Sequence, residues 1–217
     1  MKILLGMPSC GGIPMQTVTS LEAMLRSREC VDPIHVENSL VYTARDFICE
    51  YAVEKGFDYV LMVDSDMVFK PTDLDILFKT MKETGADVVS GTYVTRVGEP
   101  RIVAYSKVNK RQQRPFKSPD MKNVELYSVE AVEEVEAVGM GFCLIKTELL
   151  KKMFRDYVSL FEPRWGVGED VAFCIRARAY TKIMLSRTVK LGHLGQRVNN
   201  VPLMSVEEQI KSKSSTL

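Results

Sequence analysis

Two aspartates that follow an apolar run are the first residues whose types and spacing suggest chemistry. Asp64 and Asp66, with Ser65 between them, come directly after Tyr59–Val63, which is apolar apart from the tyrosine hydroxyl. Such a run predicts a strand buried on both faces, so the acids stand where this strand leaves the sheet. Alternate residues of an extended chain project to one side. Both carboxylates can therefore face one hard divalent cation above the phosphates of a ligand.

A second acidic pair stands at the predicted start of a late helix. Glu169 and Asp170 follow a loop that contains Trp165, the only tryptophan of the chain, and the glycines Gly166 and Gly168. Acids are common at helix starts, because the helix dipole favours negative charge there. A tryptophan, however, offers the flat apolar platform that sugars and bases use, and glycines allow a loop to close over a ligand. The pattern favours a ligand site, with an ordinary helix start as the alternative.

A histidine between glycines is the third candidate. His193 lies in the sequence Leu-Gly-His-Leu-Gly and is one of only two histidines in the chain. A lone histidine is more often structural than a ligand. Beside carboxylate oxygens, an imidazole nitrogen would favour Mn²⁺ over Mg²⁺ as the bound ion. His35 has no comparable surroundings, and we expect it to be structural.

The loop after the first predicted strand is a candidate wall for a nucleotide. It contains Pro8, Ser9 and Cys10, followed by two glycines, and it matches no glycine-rich phosphate-binding motif. In open α/β sheets, ligands bind outside the carboxyl ends of the strands, which is where this loop and the Asp64–Asp66 pair should meet. Arg45 can pair with the phosphate or base of the same ligand, although a surface position on its helix is an equal alternative.

Length, charge and cysteine usage narrow the function classes. The chain has 217 residues, a formal charge of +1 and five widely spaced cysteines without a C-x-x-C pair. The balanced charge gives no support for a nucleic acid partner. The odd cysteine count argues against a disulfide framework, so we expect a reduced, cytoplasmic protein. The first residues are too short an apolar run for a signal peptide, and we expect no transmembrane segment.

The pattern of elements predicts an α/β protein with a mostly parallel central sheet flanked by helices. Strand and helix signals alternate over about the first ninety residues, and we expect a small antiparallel portion in the C-terminal half. The early predicted elements are strands at 2–7, 34–36, 59–63 and 87–93 and helices at 14–26, from Asn38 or Ser39 to Gly56, and from a capping box at 72–75 to Gly85.

Later elements are predicted as a strand over 132–145 interrupted by Gly139–Gly141, a helix from Thr147, another from Glu169 to Tyr180, and strands at 182–185 and 188–191. We expect one domain over residues 1–200, with a nucleotide-binding half (1–95) and an acceptor-side half (96–200), followed by a frayed tail (201–217). Residues 96–122 carry eight Lys or Arg against two acids and predict a basic loop or hairpin across the ligand edge of the sheet, or a merely solvated excursion.

Taken in order, these motifs resemble the GT-A glycosyltransferase superfamily, broadly its family 2-like members. The resemblance spans about residues 1 to 195 and rests on five segments: the loop after strand one, the D-x-D of Asp64–Asp66, the small-residue segment 138–145, the W-G-x-G-E-D loop 165–170, and His193. A D-x-D alone is weak, whereas the ordered set is fairly specific. The chain is short for the superfamily, so the acceptor stays open among glycans, lipid-linked molecules and proteins.

The resemblance implies a role for each matched residue. Asp66 and His193 would bind Mn²⁺, or Mg²⁺, and Asp64 would bind ribose or reach the metal through water. Asp170 would be the catalytic base, and Glu169 would bind hydroxyls of the acceptor or donor sugar. The remaining nucleotide-sugar contacts would come from Pro8, Ser9, Cys10, Arg45, Ser65, Trp165 and Gly166. The resemblance implies a UDP-sugar donor, with a GDP-sugar possible, and an inverting reaction, with retention as the alternative.

Three other functions stay open at this point. In a HAD-type phosphohydrolase, Asp64 would be a nucleophile at the end of its strand. A nucleotidyltransferase would share the sheet, but it would usually carry a basic residue in the glycine-rich loop after strand one. A non-catalytic nucleotide-sugar-binding module would keep the ligand contacts without turnover. Oligomeric state is not fixed by the sequence.

Overall fold

A computed structural model of the protein describes residues 1–109, 121–126, 128–164 and 166–195. These residues form twelve strands and five helices. The strands are β1 (Ile3–Ser9), β2 (Val31–Glu37), β3 (Tyr59–Val63), β4 (Met67–Val68), β5 (Val88–Thr92), β6 (Ala104–Val108), β7 (Met121–Asn123), β8 (Val132–Val135), β9 (Ala137–Val138), β10 (Phe142–Lys146), β11 (Ile183–Lys190) and β12 (Gly192–His193). The helices are α1 (Met15–Ser27), α2 (Val41–Glu54), α3 (Pro71–Thr84), α4 (Thr147–Asp156) and α5 (Glu169–Ala177).

The central sheet has seven strands in the order β2-β1-β3-β10-β5-β11-β8. Strands β2, β1, β3, β5 and β11 run in one direction, and β10 and β8 run against them. This architecture confirms the predicted mostly parallel sheet. The insertion of β10 between β3 and β5 was not predicted, because the alternation of strands and helices along the chain does not show when a later strand enters the sheet.

Helices cover both faces of the sheet. On one face, Ile48 of α2, Leu150 of α4 and Phe173 of α5 belong to one buried cluster. On the other face, Met24 of α1 and Leu77 of α3 belong to a second. Because both faces are buried, the central strands are mostly apolar, which is why β3 reads as an apolar run.

One edge of the sheet collects the predicted chemical residues. Strands β1, β3 and β5 run in parallel, so their carboxyl ends at Ser9, Val63 and Thr92 lie at the same edge. Strand β10 runs against β3, with Phe142 opposite Val63, so its amino end reaches that edge too. The insertion of β10 therefore brings the glycine-rich segment before Phe142 next to the aspartates that follow β3.

Some element boundaries differ from the predictions. Helix α2 begins at Val41, and its N-cap residue Leu40 makes no side-chain capping hydrogen bond, so capping by Asn38 or Ser39 was wrong. Asn38 instead adopts a left-handed backbone with φ of 56°, a conformation that asparagine tolerates better than most residues. The two late strands predicted at 182–185 and 188–191 form the single strand β11.

Small antiparallel pairs complete the fold. Strand β6 pairs with β7 and β9, and β12 pairs with β4, which confirms the predicted antiparallel portion. The basic segment thus contributes a hairpin, and its residues 110–120 lie outside the described part of the chain, as does the predicted tail 201–217. Among the helices that the structure describes, no span is long and apolar enough to cross a membrane.

Candidate functional site

A cleft of about 880 Å³ lies at the carboxyl edge of the sheet. Its volume is within the range of small-molecule sites. The structure brings most of the predicted site residues together on its walls: Pro8, Ser9, Cys10, Arg45, Asp64, Ser65, Asp66, Glu169, Asp170 and His193. Within it, two groups of charged side chains are distinct. We call them the inner cluster (Arg45, Asp64, Glu169, Asp170) and the outer cluster (Asp66, Arg96, His193).

The inner cluster is organised by a buried arginine. Arg45 Nη2 donates to Asp64 Oδ1 at 2.9 Å and lies 3.6 Å from Glu169 Oε1, and its side chain is only 4% exposed. Helix α2 reaches this position because Gly6 lets it pack closely on β1: a Cβ on Gly6 would lie 2.3 Å from Ile48 Cγ2. Of the two positions considered for Arg45, the surface alternative is wrong, since the helix buries this side chain at the sheet edge, where it lines the cleft.

Burial shapes the electrostatics of the inner cluster. Burial alone would lower the pKa of Arg45, but the charges of Asp64, Glu169 and Asp170 outweigh it and raise that pKa, so the guanidinium stays charged. Burial, with the charge of Glu169, raises the pKa of Asp170 to about 6, against the opposing charge of Arg45 and a hydrogen bond from the N–H of Val171. Asp170 thus has a higher proton affinity than an exposed aspartate and is still a carboxylate at neutral pH.

The outer cluster is built around Asp66. Arg96 Nη1 donates to Asp66 Oδ2 at 2.5 Å, and His193 Nε2 lies 3.6 Å from Asp66 Oδ1. Burial alone would raise the pKa of Asp66, but the hydrogen bond and charge of His193 and then the charge of Arg96 lower it. Asp66 is therefore a carboxylate across the physiological range, which is the form that binds metal ions.

The orientation of His193 is fixed by its other ring nitrogen. Nδ1 lies 2.7 Å from the carbonyl oxygen of Val94, which can only accept a hydrogen bond, so Nδ1 carries the proton. The ring also packs edge-on against Tyr93, with centroids 5.2 Å apart. A protonated ring points Nε2–H at Asp66, and this form lowers the pKa of that carboxyl group. In the neutral ring Nε2 carries the lone pair instead, which is the form in which a histidine binds a metal ion.

A divalent metal ion fits this arrangement in part. Asp66 and His193 converge, whereas Asp64, the third predicted ligand, is engaged by Arg45. Within the described residues, no cluster of three or more Asp, Glu, His or Cys side chains has metal-binding geometry. Mg²⁺-like ions are commonly held by one or two protein ligands, with phosphate oxygens and waters completing the shell. The pair of side chains suits such an ion when it is shared with a diphosphate.

Tyr93 is a residue of the cleft that the sequence did not single out. Its Oη accepts a hydrogen bond from the N–H of Gly141 at 3.0 Å. A Cβ on Gly139 would lie 2.0 Å from that oxygen, so only glycine allows the approach. The carbonyl oxygen of Gly141 in turn accepts from the N–H of Asp64 at 3.0 Å. Tyr93 thus connects the glycine segment to Asp64 of the inner cluster and to His193 of the outer cluster. The glycines at 139 and 141 were the sequence signal that a bulky side chain packs against this segment.

Ser9, in the loop after β1, pairs with a residue of the neighbouring strand. Its Oγ lies 2.6 Å from His35 Nε2, and His35 Nδ1 lies 3.6 Å from Glu37 Oε1. The registered pairing of β1 with β2 brings these side chains together. His35, expected to be structural, therefore supports a residue of the cleft wall.

Of the residues predicted as site residues in and just after the loop before α5, only some are found on the cleft wall. Glu169 and Asp170 open α5 as predicted and face the cleft. Gly166 has a left-handed φ of 76° and is not among the described residues that line the cleft. Trp165 lies outside the described residues, so its predicted role as a platform stays a prediction.

A second cavity, of about 810 Å³, lies between β11, β8 and the β6–β7 hairpin. The guanidinium of Arg187 in its lining is already paired: Nε and Nη2 donate to Glu133 at 2.8 and 2.6 Å, and Nη2 also donates to the carbonyl oxygen of Glu125.

Comparison with known proteins agrees with the geometry. A family described as Glycosyl transferase family 2 matches residues 16–139, more than half of the chain. The match includes Arg45, Asp64 and Asp66, whereas Asp170 and His193 lie beyond it. No curated protein sequence matches the chain significantly.

Solved structures share the fold. One, reported as "Crystal Structure of A197 from STIV", superposes with a TM-score of 0.66 over 96% of this chain and 92% of that chain. The two sequences are 21% identical. At that identity the likeness shows the fold alone.

Proposed function

The chain belongs to glycosyl transferase family 2, and on that premise we propose that it is a metal-dependent enzyme that transfers a sugar from a nucleoside diphosphate to an acceptor hydroxyl with inversion. A UDP-sugar is the favoured donor, and a GDP-sugar is the alternative. The observation that carries the proposal is the pairing of Asp66 with His193 in the same cleft as the partly buried acid Asp170.

The outer cluster would hold the donor diphosphate through a divalent ion. Asp66 Oδ1 and His193 Nε2 are the two atoms that would bind it, and Mn²⁺ is favoured because one ligand is an imidazole nitrogen. When bound, such an ion supplies Lewis-acid stabilisation of the leaving diphosphate. The hydrogen bond from His193 Nδ1 to Val94 keeps the ring oriented for this role.

Asp170 is the group proposed to activate the acceptor. Its carboxylate would take the proton of the acceptor hydroxyl while that oxygen forms a bond to the anomeric carbon of the donor. The bond from this carbon to the diphosphate oxygen breaks, and its electron pair leaves with the diphosphate. A pKa of about 6 supports this role, because the group is ionised at neutral pH yet binds a proton more tightly than an exposed aspartate.

The other members of the inner cluster are proposed to hold the donor in place. Asp64, fixed by Arg45, would accept a hydrogen bond from a ribose hydroxyl, and Glu169 would accept from a sugar hydroxyl. Holding the reactants in a fixed geometry is itself a large part of catalysis. The rigid Arg45 contact supports this positioning role.

The competing functions have less support. In a phosphohydrolase, Asp64 would attack phosphorus, but its Oδ1 is bound by a buried guanidinium and the family match points elsewhere. The loop after β1 brings no basic residue to the cleft wall, unlike that of a nucleotidyltransferase. A binding module without catalysis would keep the contacts to the donor but would not need the general base proposed for Asp170.

The test is to incubate the protein with UDP- and GDP-sugars, with and without Mn²⁺, and to measure release of the nucleoside diphosphate. We expect metal-dependent release from a donor with one of the two bases and its loss in Asp66→Asn. The matched control is Asp32→Asn, which changes an exposed acid of β2. Donor binding without any turnover, in the presence of candidate acceptors, would favour the binding module instead.

A further inference from the structure

A short hairpin holds Arg96 over the mouth of the cleft. The backbone pairs Val94 with Ile102, and the N–H of Thr95 donates to the carbonyl of Arg101 at 2.9 Å. Gly98 turns the tip with a left-handed φ of 78°. Because the hairpin follows β5 directly, the position of Arg96 is set by the central sheet.

The contact between Arg96 and Asp66 is accessible to solvent and can be exchanged. The Arg96 side chain is 47% exposed, and it holds only the Oδ2 oxygen of Asp66. The other oxygen faces His193. Ion pairs at such exposed positions contribute little to stability, so breaking this one has a small cost.

A metal ion and Arg96 would compete for the same negative charge. Without the metal, the guanidinium neutralises Asp66. A divalent ion between Asp66 and His193 would neutralise the carboxylate and repel the guanidinium at short range. The released Arg96 would still lie over the cleft, which it lines, where the diphosphate of a donor brings negative charge.

We infer that Arg96 is a second cationic contact for the donor diphosphate and that it exchanges Asp66 for phosphate oxygens when metal and donor bind. This inference rests on the proposed function. The planar guanidinium matches the geometry of phosphate oxygens and can donate two hydrogen bonds in parallel. It accounts for a cationic side chain at the cleft that no other role in the reaction uses.

In the reaction, Arg96 stabilises the leaving group without transferring a proton. When the bond from the anomeric carbon to the diphosphate oxygen breaks, the electron pair stays on the diphosphate, whose negative charge grows. The N–H groups of Arg96 donate hydrogen bonds to these oxygens and strengthen as the charge develops. Arg96 is in this sense a catalytic residue, because it touches the leaving group.

The inference predicts two opposite effects of one substitution. Arg96→Gln removes a competitor for Asp66, so Mn²⁺ alone should bind about two- to fivefold more tightly. The same change removes a charge-assisted contact to phosphate, so UDP in saturating Mn²⁺ should bind roughly 10- to 100-fold more weakly. Loss of a merely structural residue would not produce opposite signs.

The experiment uses three variants of the full chain. Mn²⁺ binding is measured from the paramagnetic resonance of the free ion, and binding of UDP and UMP in saturating Mn²⁺ is measured by calorimetry, with GDP and GMP as the second pair. Arg96→Lys keeps the positive charge but loses the planar guanidinium that donates two parallel hydrogen bonds. Its affinities for Mn²⁺ and UDP should therefore lie between those of wild type and Arg96→Gln. The matched control is Arg101→Gln, an exposed arginine of the same hairpin. Thermal melting verifies that each variant is folded.

We expect Arg96→Gln to weaken UDP far more than UMP, because the contact is to the terminal phosphate. Equal loss for both nucleotides, or UDP affinity within twofold of wild type, overturns the phosphate contact. Unchanged or weaker Mn²⁺ binding overturns the exchange. If the wild-type protein binds neither UDP nor GDP with Mn²⁺, the donor class itself is wrong and the role of Arg96 falls with it.

Discussion

The two aspartates of the D-x-D segment lie two residues apart, yet each belongs to a different kind of cluster. Asp64 is held by Arg45, whose side chain is 4% exposed, and Asp66 is held by Arg96, whose side chain is 47% exposed. A buried arginine beside carboxylates is fixed, because removing it leaves uncompensated charge in a low-dielectric region. An exposed arginine is replaceable. The inner cluster is therefore suited to hold a geometry and the outer cluster to exchange cations.

The largest expected effect comes from the acid at the end of the inner cluster. Asp170→Asn removes the proposed base, and we expect kcat to fall by roughly 10²- to 10⁴-fold. Affinity for UDP and Mn²⁺ should change little, since neither is proposed to contact Asp170. Steady-state kinetics with calorimetry provide the measurement, and Asp32→Asn is the control. Near-normal turnover in Asp170→Asn would remove the base from the mechanism.

The pH dependence of turnover tests the same group without a substitution. Because Asp170 must be ionised to accept a proton and its pKa is about 6, kcat should fall roughly tenfold per pH unit below that value. The profile is measured with donor and metal held at saturation, so that changes in their binding do not contribute. A kcat that stays flat from pH 7 down to pH 5 would be inconsistent with this role.

Stability separates the two arginines. Arg45→Gln leaves Asp64 and Glu169 beside no cation, and we expect the free energy of unfolding to fall by about 3 kcal/mol. Arg96→Gln should change it by no more than about 0.5–1 kcal/mol. Urea denaturation of both variants gives the comparison. Similar losses for the two would mean that the clusters do not differ as their exposure indicates.

Asp170 also predicts a gain of stability that depends on pH. In the folded protein Asp170 keeps its proton up to a pH of about 6, whereas in the unfolded chain it releases it near 3.8. The folded state therefore binds more protons between these values, and stability falls as pH rises through this window. Asp170→Asn should be more stable than wild type by about 1–3 kcal/mol at pH 8, and the difference should vanish near pH 4. If Asp170→Asn exceeded wild type in stability by the same amount at pH 8 and pH 4, the gain would come from packing and not from the ionisation of Asp170.

The sequence was informative where local pattern and site coincide. The apolar run before Asp64, the acids after Gly168 and the glycines at 139 and 141 all follow from local rules, because strand burial, helix starts and close approach leave short signatures. These signatures were enough to predict the sheet edge and most of the residues on it.

The partners of those residues could not be predicted in the same way. Arg45 meets Asp64, and Arg96 meets Asp66, across contacts that only the assembled sheet creates. The prediction that Asp64 and Asp66 face one cation treated both residues as part of an extended strand, whose alternate side chains share the same surroundings. The chain leaves the strand at Asp64, so the two carboxylates face different arginines. Burial of Arg45 depended on α2 packing against Gly6, which no local pattern shows.

The most direct test of the account is a crystal of the protein with Mn²⁺ and UDP, with the ion located by its anomalous scattering. The account predicts one ion bonded to Asp66 and the Nε2 of His193 and to oxygens of the diphosphate, with Arg96 turned from Asp66 to the phosphates. An ion held by other residues, or a diphosphate bound while Arg96 still pairs with Asp66, would contradict it.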